Sequence, residues 1–456
     1  MDSRAELMKH VNSKSERDRH VIEAVVYRFG PISRVDIHEL TNLEPGQISR
    51  LVRELLDDGR LLQAGHADNP MGRKQILLRL NAKHRFVLGV GFDDESVTAA
   101  VMDLHPKIRA SVQEPTRLNE GVAGLKGQLL SCARVALQKA GVDANSLIGI
   151  GVAGSGVVDR GTGTLIMSST MEVLKETPLG KIFEKEFGVP TAVENLTRAK
   201  AVAERALGAG EMAEDVIYIE YGRTGIGAGI VSNSRLLYGS GFAAGEFGHT
   251  HMVEGSPACK CGSFGCLEAI AGAAAIEARI RRAVEEGSIS MALDLADGKV
   301  DKITGWMVLA SAGRGDKACA AIVAEMCKYL GLGLANLVNL FNPSVLVLDE
   351  RLSLAGPGLL DEMIRVIRLQ ALSYSAKNLQ VKFGKLGTYA SVLGMGAFIL
   401  EKHFEIPALK PPRFLIESLP QLSRKQASRK SSASNLLTDR ASATPVLRNA
   451  GRMADN

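Results

Sequence analysis

The sequence predicts an α/β protein of two similar lobes, preceded by a small helical unit closed by a hairpin. Three observations carry this expectation. From Phe86 onward, apolar strand-like runs alternate with helix-like segments, the pattern of layered α/β architecture. A strand pair at 86–104 and a second at 216–238 are each followed by further α/β material, which implies two related lobes with a cleft between them. Residues 1–85 carry short helical periods and turn signals instead.

In that first segment Val21, Ile22, Val25, Val26 and Phe29 recur at helical spacing, and Gly30-Pro31 ends the helix. Ser33 is placed to cap a second helix carrying Val35, Ile37 and Leu40. After Leu43-Glu44-Pro45-Gly46, a third helix over 47–58 puts Ile48, Leu51, Val52, Leu55 and Leu56 on one face and stops at Gly59. Two short amphipathic helices joined by a tight turn, the second polar and basic on its outer face, form the pattern of a helix-turn-helix. Leu61-Leu62, the turn-rich stretch 67–74 and the strand 76–80 then read as a wing. The competing reading, a generic three-helix unit with solvated arginines, leaves the wing unexplained.

A helix-turn-helix sets the start of its second helix against base edges in the major groove. That nominates Gln47, Ser49, Arg50 and Arg53, while Arg73 and Lys74 at the wing turn can reach phosphate or the adjacent minor groove. Taken singly, each is equally a solvated surface side chain. In the α/β part, residues 86–92, 97–104, 147–154, 216–222, 226–233 and 344–349 are strand-like, and 124–141 and 197–210 helix-like.

Charge sharpens the division. The 456 residues include 55 Lys+Arg and 50 Asp+Glu, and the net +5 splits as +3 over 1–85, −3 over 86–410 and +5 over 411–456. A slightly acidic body between basic ends raises the expectation of an anionic partner. At 46% hydrophobic and 23% charged residues, collagen-like, mucin-like and wholly disordered classes are excluded. Every apolar run is broken short of the roughly 18 residues that suggest a membrane span. The N-terminus lacks the apolar core of a secretory signal, so a cytoplasmic protein without a membrane is expected. The Ser-, Arg- and Lys-rich end has no sustained period and reads as a disordered tail. The expected domains are therefore a DNA-binding unit at 1–85, a two-lobed body at 86–410 and a basic tail at 411–456.

Three of the six cysteines crowd into Cys259, Cys261 and Cys266. With His249 they offer one imidazole and three thiolates, which suits a closed tetrahedral zinc site, one per chain and structural because no position is left open. Gly262 and Gly265 let the chain turn tightly enough to return Cys266 to the same ion. Free thiols packed in a core are the alternative, and His251 is a competing imidazole.

The segment 245–268, GEFGHTHMVEGSPACKCGSFGCLE, resembles the signature of the ROK family, bacterial sugar kinases and sugar-responsive repressors with an actin-like ATPase fold. The resemblance continues through 151–159, 193–196, 223–231, 339–348 and 386–400, and the winged unit resembles the arm carried by the family's regulators. It implies that His249, Cys259, Cys261 and Cys266 hold zinc, and that Asn195, Glu246, His249 and Glu268 hydrogen-bond sugar hydroxyls. Carboxylates and an amide suit vicinal hydroxyls, although each is also a common capping or ion-pairing group.

The kinase chemistry implied by the family does not survive in these residues. A family kinase places a proton-accepting carboxylate in an Asn-Asp pair, and here the pair is Asn195-Leu196. Leucine accepts no proton, and the side chain of neighbouring Glu194 is expected to point elsewhere. The first phosphate loop reads Gly91-Phe92-Asp93-Asp94-Glu95, putting carboxylates where an anion would sit, and Arg223 stands where the second loop has glycine. Thus no catalytic residue is expected. The resemblance points to a regulator of double-stranded operator DNA with a sugar or sugar-derivative effector, working as a homodimer or homotetramer. The rival is an active ATP-dependent sugar kinase.

Overall fold

The computed structural model describes residues 14–67, 75–168, 171–223, 225–255 and 257–405. Arg73, Lys74 and the segment 411–456 lie outside the described residues. The chain begins with α1 (Lys14–Phe29), β1 (Ile32–Ser33), α2 (Arg34–Thr41), α3 (Pro45–Asp57), β2 (Leu61–Ala67) and β3 (Gln75–Leu80), the strands ordered β1-β3-β2. Ser33 starts α2 with a reciprocal cap: its Oγ accepts from Asp36 N–H at 3.3 Å, and the Asp36 carboxylate accepts from Ser33 N–H at 3.1 Å. Ile22, Val25, Ile37, Ile48, Leu51, Leu55, Leu61 and Leu78 are fully buried, so three helices and the hairpin close around one core. Val87, Met102, Leu400 and Phe404 of the body belong to the same core, which docks the winged unit onto the body through continuous apolar packing.

The first lobe contains β4 (Phe86–Phe92), β5 (Ser96–Asp103), β6 (Ile108–Pro115), α4 (Gly121–Ala140), β7 (Leu147–Gly154), the hairpin β8 (Val157–Asp159) and β9 (Thr164–Met167), α5 (Leu179–Phe187) and β10 (Thr191–Asn195). Then α6 (Leu196–Leu207) leads into the second lobe. That lobe holds β11 (Val216–Tyr221), β12 (Ile226–Ser232), β13 (Arg235–Leu236), α7 (Leu267–Ala271), α8 (Ala273–Glu285), α9 (Met291–Leu295), α10 (Gly305–Gly313), α11 (Lys317–Phe341), β14 (Val345–Leu348), α12 (Gly358–Gln370), α13 (Ser373–Ala376) and β15 (Gln380–Phe383). The last helix, α14 (Ala390–His403), returns to the first lobe.

The two sheets run β6-β5-β4-β7-β10 and β13-β12-β11-β14-β15. In each, the first strand pairs antiparallel with the second and parallel with the fourth. The lobes thus share one topology, as the repeated strand pairs predict. Leu88, Val90, Ile150 and Val152 are fully buried in the first sheet, and Ile219, Leu346 and Leu348 in the second, as expected of central strands covered on both faces. By length and apolarity α11 is able to cross a membrane, yet Met326, Leu330, Leu334 and Val338 on it are fully buried in the second lobe's core.

Helices α6 and α14 cross where the lobes meet, and their contact needs glycine. A Cβ on Gly394 would overlap the Ala199 carbonyl oxygen, and one on Gly89 would fall against the Val392 carbonyl. The close approach brings α14 onto β4, β7 and α6 together.

Candidate ligand cleft, metal cluster and DNA-facing helix

The cleft between the lobes is lined on one side by the β4–β5 turn and by Asn195 and Leu196 at the β10–α6 junction. Glycine-rich β12, Glu246, His249 and Glu268 line the other. All four residues nominated as sugar contacts therefore meet in one place.

Asn195 ends β10 and caps α6. Its Oδ1 accepts from Arg198 N–H at 3.0 Å and its Nδ2 donates to the Gly156 carbonyl at 2.8 Å, leaving one N–H and one lone pair for a ligand. Leu196, the first residue of α6, is 5% exposed and packs with Ala153, Ala199 and Met395. The buried Glu194 carboxylate is committed to Arg198 at 2.7 Å and Arg160 at 3.1 Å, so it is not turned to the position a catalytic base would need. Arg198 also donates to the carbonyls of Phe242 and Ala244 at 3.0 and 3.4 Å, which fixes the loop entering Gly245-Glu246.

Glu246 is half exposed, and its Oε2 lies 3.9 Å from His249 Nε2. Glu268 opens α7, accepts from Ile226 N–H at 3.1 Å, and has its carboxyl pKa pushed up by burial. A carboxylate at the cleft rim, an imidazole N–H and a half-buried carboxyl form an alternating donor and acceptor surface suited to hydroxyls.

Behind this surface, ligand atoms of His249, Cys259, Cys261 and Cys266 lie within 4.8 Å of one another. Cys259 Sγ is 3.6 Å from His249 Nδ1, and Cys261 Sγ is 3.8 Å from Cys266 Sγ. Sulfurs about 2.3 Å from a tetrahedral ion lie about 3.8 Å apart, so these spacings suit a metal such as zinc. Burial pushes the Cys259 thiol pKa up and that of Cys266 to about 12. A dication would offset the mutual repulsion that opposes forming three thiolates together. His251 instead bonds the Phe264 carbonyl through Nδ1 at 3.0 Å and is outside the cluster. His249 faces the cluster with one nitrogen and Glu246 with the other, which ties the cysteine loop to the cleft wall.

At the other end of the cleft, the β4–β5 turn closes on itself. Asp93 Oδ1 accepts from the N–H groups of Glu95 and Ser96 at 2.9 and 2.8 Å. Donors that a phosphate would require are taken by a side chain of the same turn. Across from it stand Arg351, Glu220 and Trp306, which the sequence reasoning missed. The signal for Arg351 was the charged run Asp349-Glu350-Arg351 directly after β14, since ligand sites gather at carboxyl ends of parallel strands.

On the winged unit, Ser49, Arg50 and Arg53 are exposed along α3. Arg50 pairs with Glu54 at 2.6 Å, and half-buried Gln47 donates to Asp18 of α1 at 2.5 Å. Gln47 therefore braces α3 against α1.

Fold and site define a two-lobed, actin-like body of the sugar-kinase type, with a His/Cys cluster behind its cleft and a winged helix-turn-helix docked on it. The pattern of the ROK family matches residues 87–402, and the chain belongs to that family. It is 29% identical over 397 residues to the DNA-binding transcriptional dual regulator NagC of Escherichia coli, covering 87% of this chain and 93% of that protein. It is 27% identical over 376 residues to the xylose repressor of Caldicellulosiruptor bescii, covering 82% and 93%. Among solved structures, a ROK family transcriptional regulator homologous to the E. coli MLC protein superposes with a TM-score of 0.72 at 24% identity, over 85% of this chain and 96% of that one. A ROK family glucokinase from Streptomyces griseus, in complex with glucose and AMPPNP, gives 0.61 at 29% identity, over 69% and 98%.

Proposed function

We propose that the chain is a DNA-binding transcriptional regulator, a repressor in its basal action, whose inter-lobe cleft takes a sugar or sugar derivative and whose phosphoryl-transfer chemistry is lost. The observation that carries this is Leu196 at the catalytic-base position, in a body sharing its core with a winged helix. Of the relatives spanning both parts, one is named as a DNA-binding transcriptional dual regulator and the other as a xylose repressor. Residues 1–85 are the DNA-binding domain, 86–410 the sensing body and 411–456 a basic tail. Ser49, Arg50 and Arg53, with Gln47 once released from Asp18, read base edges, and Arg73 and Lys74 hold the backbone. The protein works in the cytoplasm. One winged helix covers few base pairs, so a homodimer or homotetramer presents two arms to a symmetric operator.

In the cleft, Glu246, His249, Glu268 and the remaining capacity of Asn195 bind hydroxyls. A zinc ion held by His249, Cys259, Cys261 and Cys266, one per chain, would fix the loop that carries two of them. Ligand binding then shifts DNA affinity by its differential affinity for two lobe arrangements. The test selects bound fragments from fragmented genomic DNA, then measures their affinity against a panel of hexoses, N-acetylhexosamines and pentoses. At least one sugar should weaken binding, and Glu246→Ala should abolish that response while leaving sugar-free DNA affinity unchanged. Arg53→Ala should cost about 1–3 kcal/mol on the selected site. Sugar-dependent ADP release from ATP that is abolished by Glu246→Ala would instead establish the kinase.

A further inference from the structure

The β4–β5 end of the cleft carries a charge network that no part of the regulator reading uses. Arg351 is anchored in the second lobe: its Nε and Nη2 donate to the two Asp349 oxygens at 2.9 Å, and Nη2 also meets Glu220 Oε1 at 2.9 Å. Lys200 of α6 reaches the same Glu220 oxygen at 2.8 Å. Burial opposes ionisation of Asp349, but hydrogen bonds and charge from Arg351 outweigh it and hold the carboxyl below its usual pKa. From this anchor Arg351 Nη1 crosses the cleft to Glu95 Oε2 at 3.1 Å. Glu95 belongs to the β4–β5 turn of the first lobe, and its other oxygen accepts from Trp306 Nε1 at 3.4 Å. The Trp306 ring lies under the Arg351 guanidinium, 4.6 Å from centroid to carbon, and edge-on to Tyr221. One carboxylate of the first lobe is thus gripped by two groups of the second.

We propose that Glu95, Arg351 and Trp306 form a cross-lobe strap that sets the opening of the ligand cleft in place of a bound nucleotide. In a two-lobed fold a triphosphate in this position would touch both lobes and draw them together. Here Asp93 satisfies the turn's own N–H groups and Glu95 supplies the anion that Arg351 meets, so closure is built from the chain's own side chains. The strap is the weaker half of the network. Arg351 and Glu95 side chains are 24% and 34% exposed, whereas Asp349 is 4% exposed. An ion pair of that exposure is screened by salt, so it opens before the Asp349 anchor does. This reading rests on the cleft being a binding site, but it needs neither DNA nor an identified sugar for its test.

Trp306 is the single tryptophan of the chain, so the strap carries its own reporter. The experiment records tryptophan emission, acrylamide quenching and small-angle X-ray scattering of the full-length protein. In the wild type, raising NaCl from about 0.1 to about 1 M shortens the screening length from about 10 to about 3 Å and should increase quenching and widen the particle. Glu95→Gln should start open, with quenching increased about twofold and no remaining response to salt over that range. Glu114→Gln, in an exposed pair with Arg117, should behave as wild type. Millimolar Mg-ATP should leave wild-type emission unchanged. Unchanged quenching and scattering in Glu95→Gln would overturn the strap, as would an emission change on adding Mg-ATP. A quenching change without wider scattering would reduce it to a local contact of Trp306. None of these results bears on sugar-dependent DNA binding, so the strap and the regulator reading fail separately.

Discussion

Single residues decide what this scaffold is able to do. Leu196 offers no proton-accepting group at the start of α6 and is a packed side chain, with Ala153, Ala199 and Met395 around it. Replacing it with aspartate would supply a carboxylate but leave the N–H groups of Glu95 and Ser96 occupied by Asp93. Leu196→Asp should therefore release no ADP above background in a coupled assay over the same sugars. It should lose about 2–3 kcal/mol in urea melts by placing a carboxylate against apolar neighbours. Cys261 works in the opposite sense, since it is exposed and contributes little packing, yet it completes the His/Cys set. Its thiol pKa is lowered, first by the Ser263 backbone N–H, which favours the thiolate a metal needs. Elemental analysis should find one zinc per wild-type chain and much less in Cys261→Ser, with sugar affinity falling alongside because His249 loses its fixed orientation. Retention of a full equivalent of zinc in Cys261→Ser would remove that residue from the ligand set.

At the scale of elements, helix α14 ties the cleft floor to the winged unit. Met395 packs with Leu196 at one end, and Leu400 and Phe404 enter the core of the winged unit at the other. Its approach to α6 is a backbone contact, so Gly394→Ala must separate two helices, with no flexible side chain able to yield. The cost should be about 1–3 kcal/mol in chemical denaturation, and the same separation should alter DNA affinity without touching α3. Stability and DNA affinity both equal to wild type would show that the crossing tolerates the extra carbon. Sequence alone predicted the central strands, the α4 and α6 regions and the capped α2, because full burial writes continuous apolar runs and capping writes Ser-x-x-Asp. Edge strands escaped it: β15 is four residues long and none is fully buried, and β6 exposes Arg109, Gln113 and Pro115 with only Val112 buried. In the site, the His/Cys cluster was legible because its four members lie within a span of 18 residues at a spacing that suits metal binding. The partners of Glu95 were not, since Trp306 and Arg351 stand 211 and 256 positions away in sequence. Nor could a sequence say that Gln47 and Asn195 would spend their amides on Asp18, Gly156 and Arg198.

For the whole molecule, the decisive feature is that the winged unit and the body share one apolar core, so the seam between them is part of the folding unit. His20 of α1 and His403 of α14 meet there with ring centroids 5.0 Å apart, and Phe404 stacks on Tyr27 at 4.4 Å. Burial, with the positive charge of His20, Arg60 and Arg85, pushes the His403 pKa down to about 3, and burial lowers that of His20 as well. An unfolded histidine titrates near about 6.5, so between roughly pH 6.5 and 3 the unfolded chain binds more protons than the folded one. Stability from these groups is thus fully present above about pH 6.5 and is lost as the pH falls, by at most about 1.4 kcal/mol per unit for each histidine. Buried Glu23, which faces Arg60 and has its pKa raised by burial, has the opposite sign: its contribution is present below about 4.5 and lost as the pH rises through its folded value. The two effects are separated by comparing variants at fixed pH. Between about pH 7.5 and 5.5 the wild type should lose on the order of 1 kcal/mol more than His403→Gln, which has no proton to take up at that position. The loss should fall on the seam, so limited proteolysis at the lower pH should release the winged unit from an intact body sooner in the wild type. Equal pH slopes for the two proteins would mean that the seam opens without charging His403.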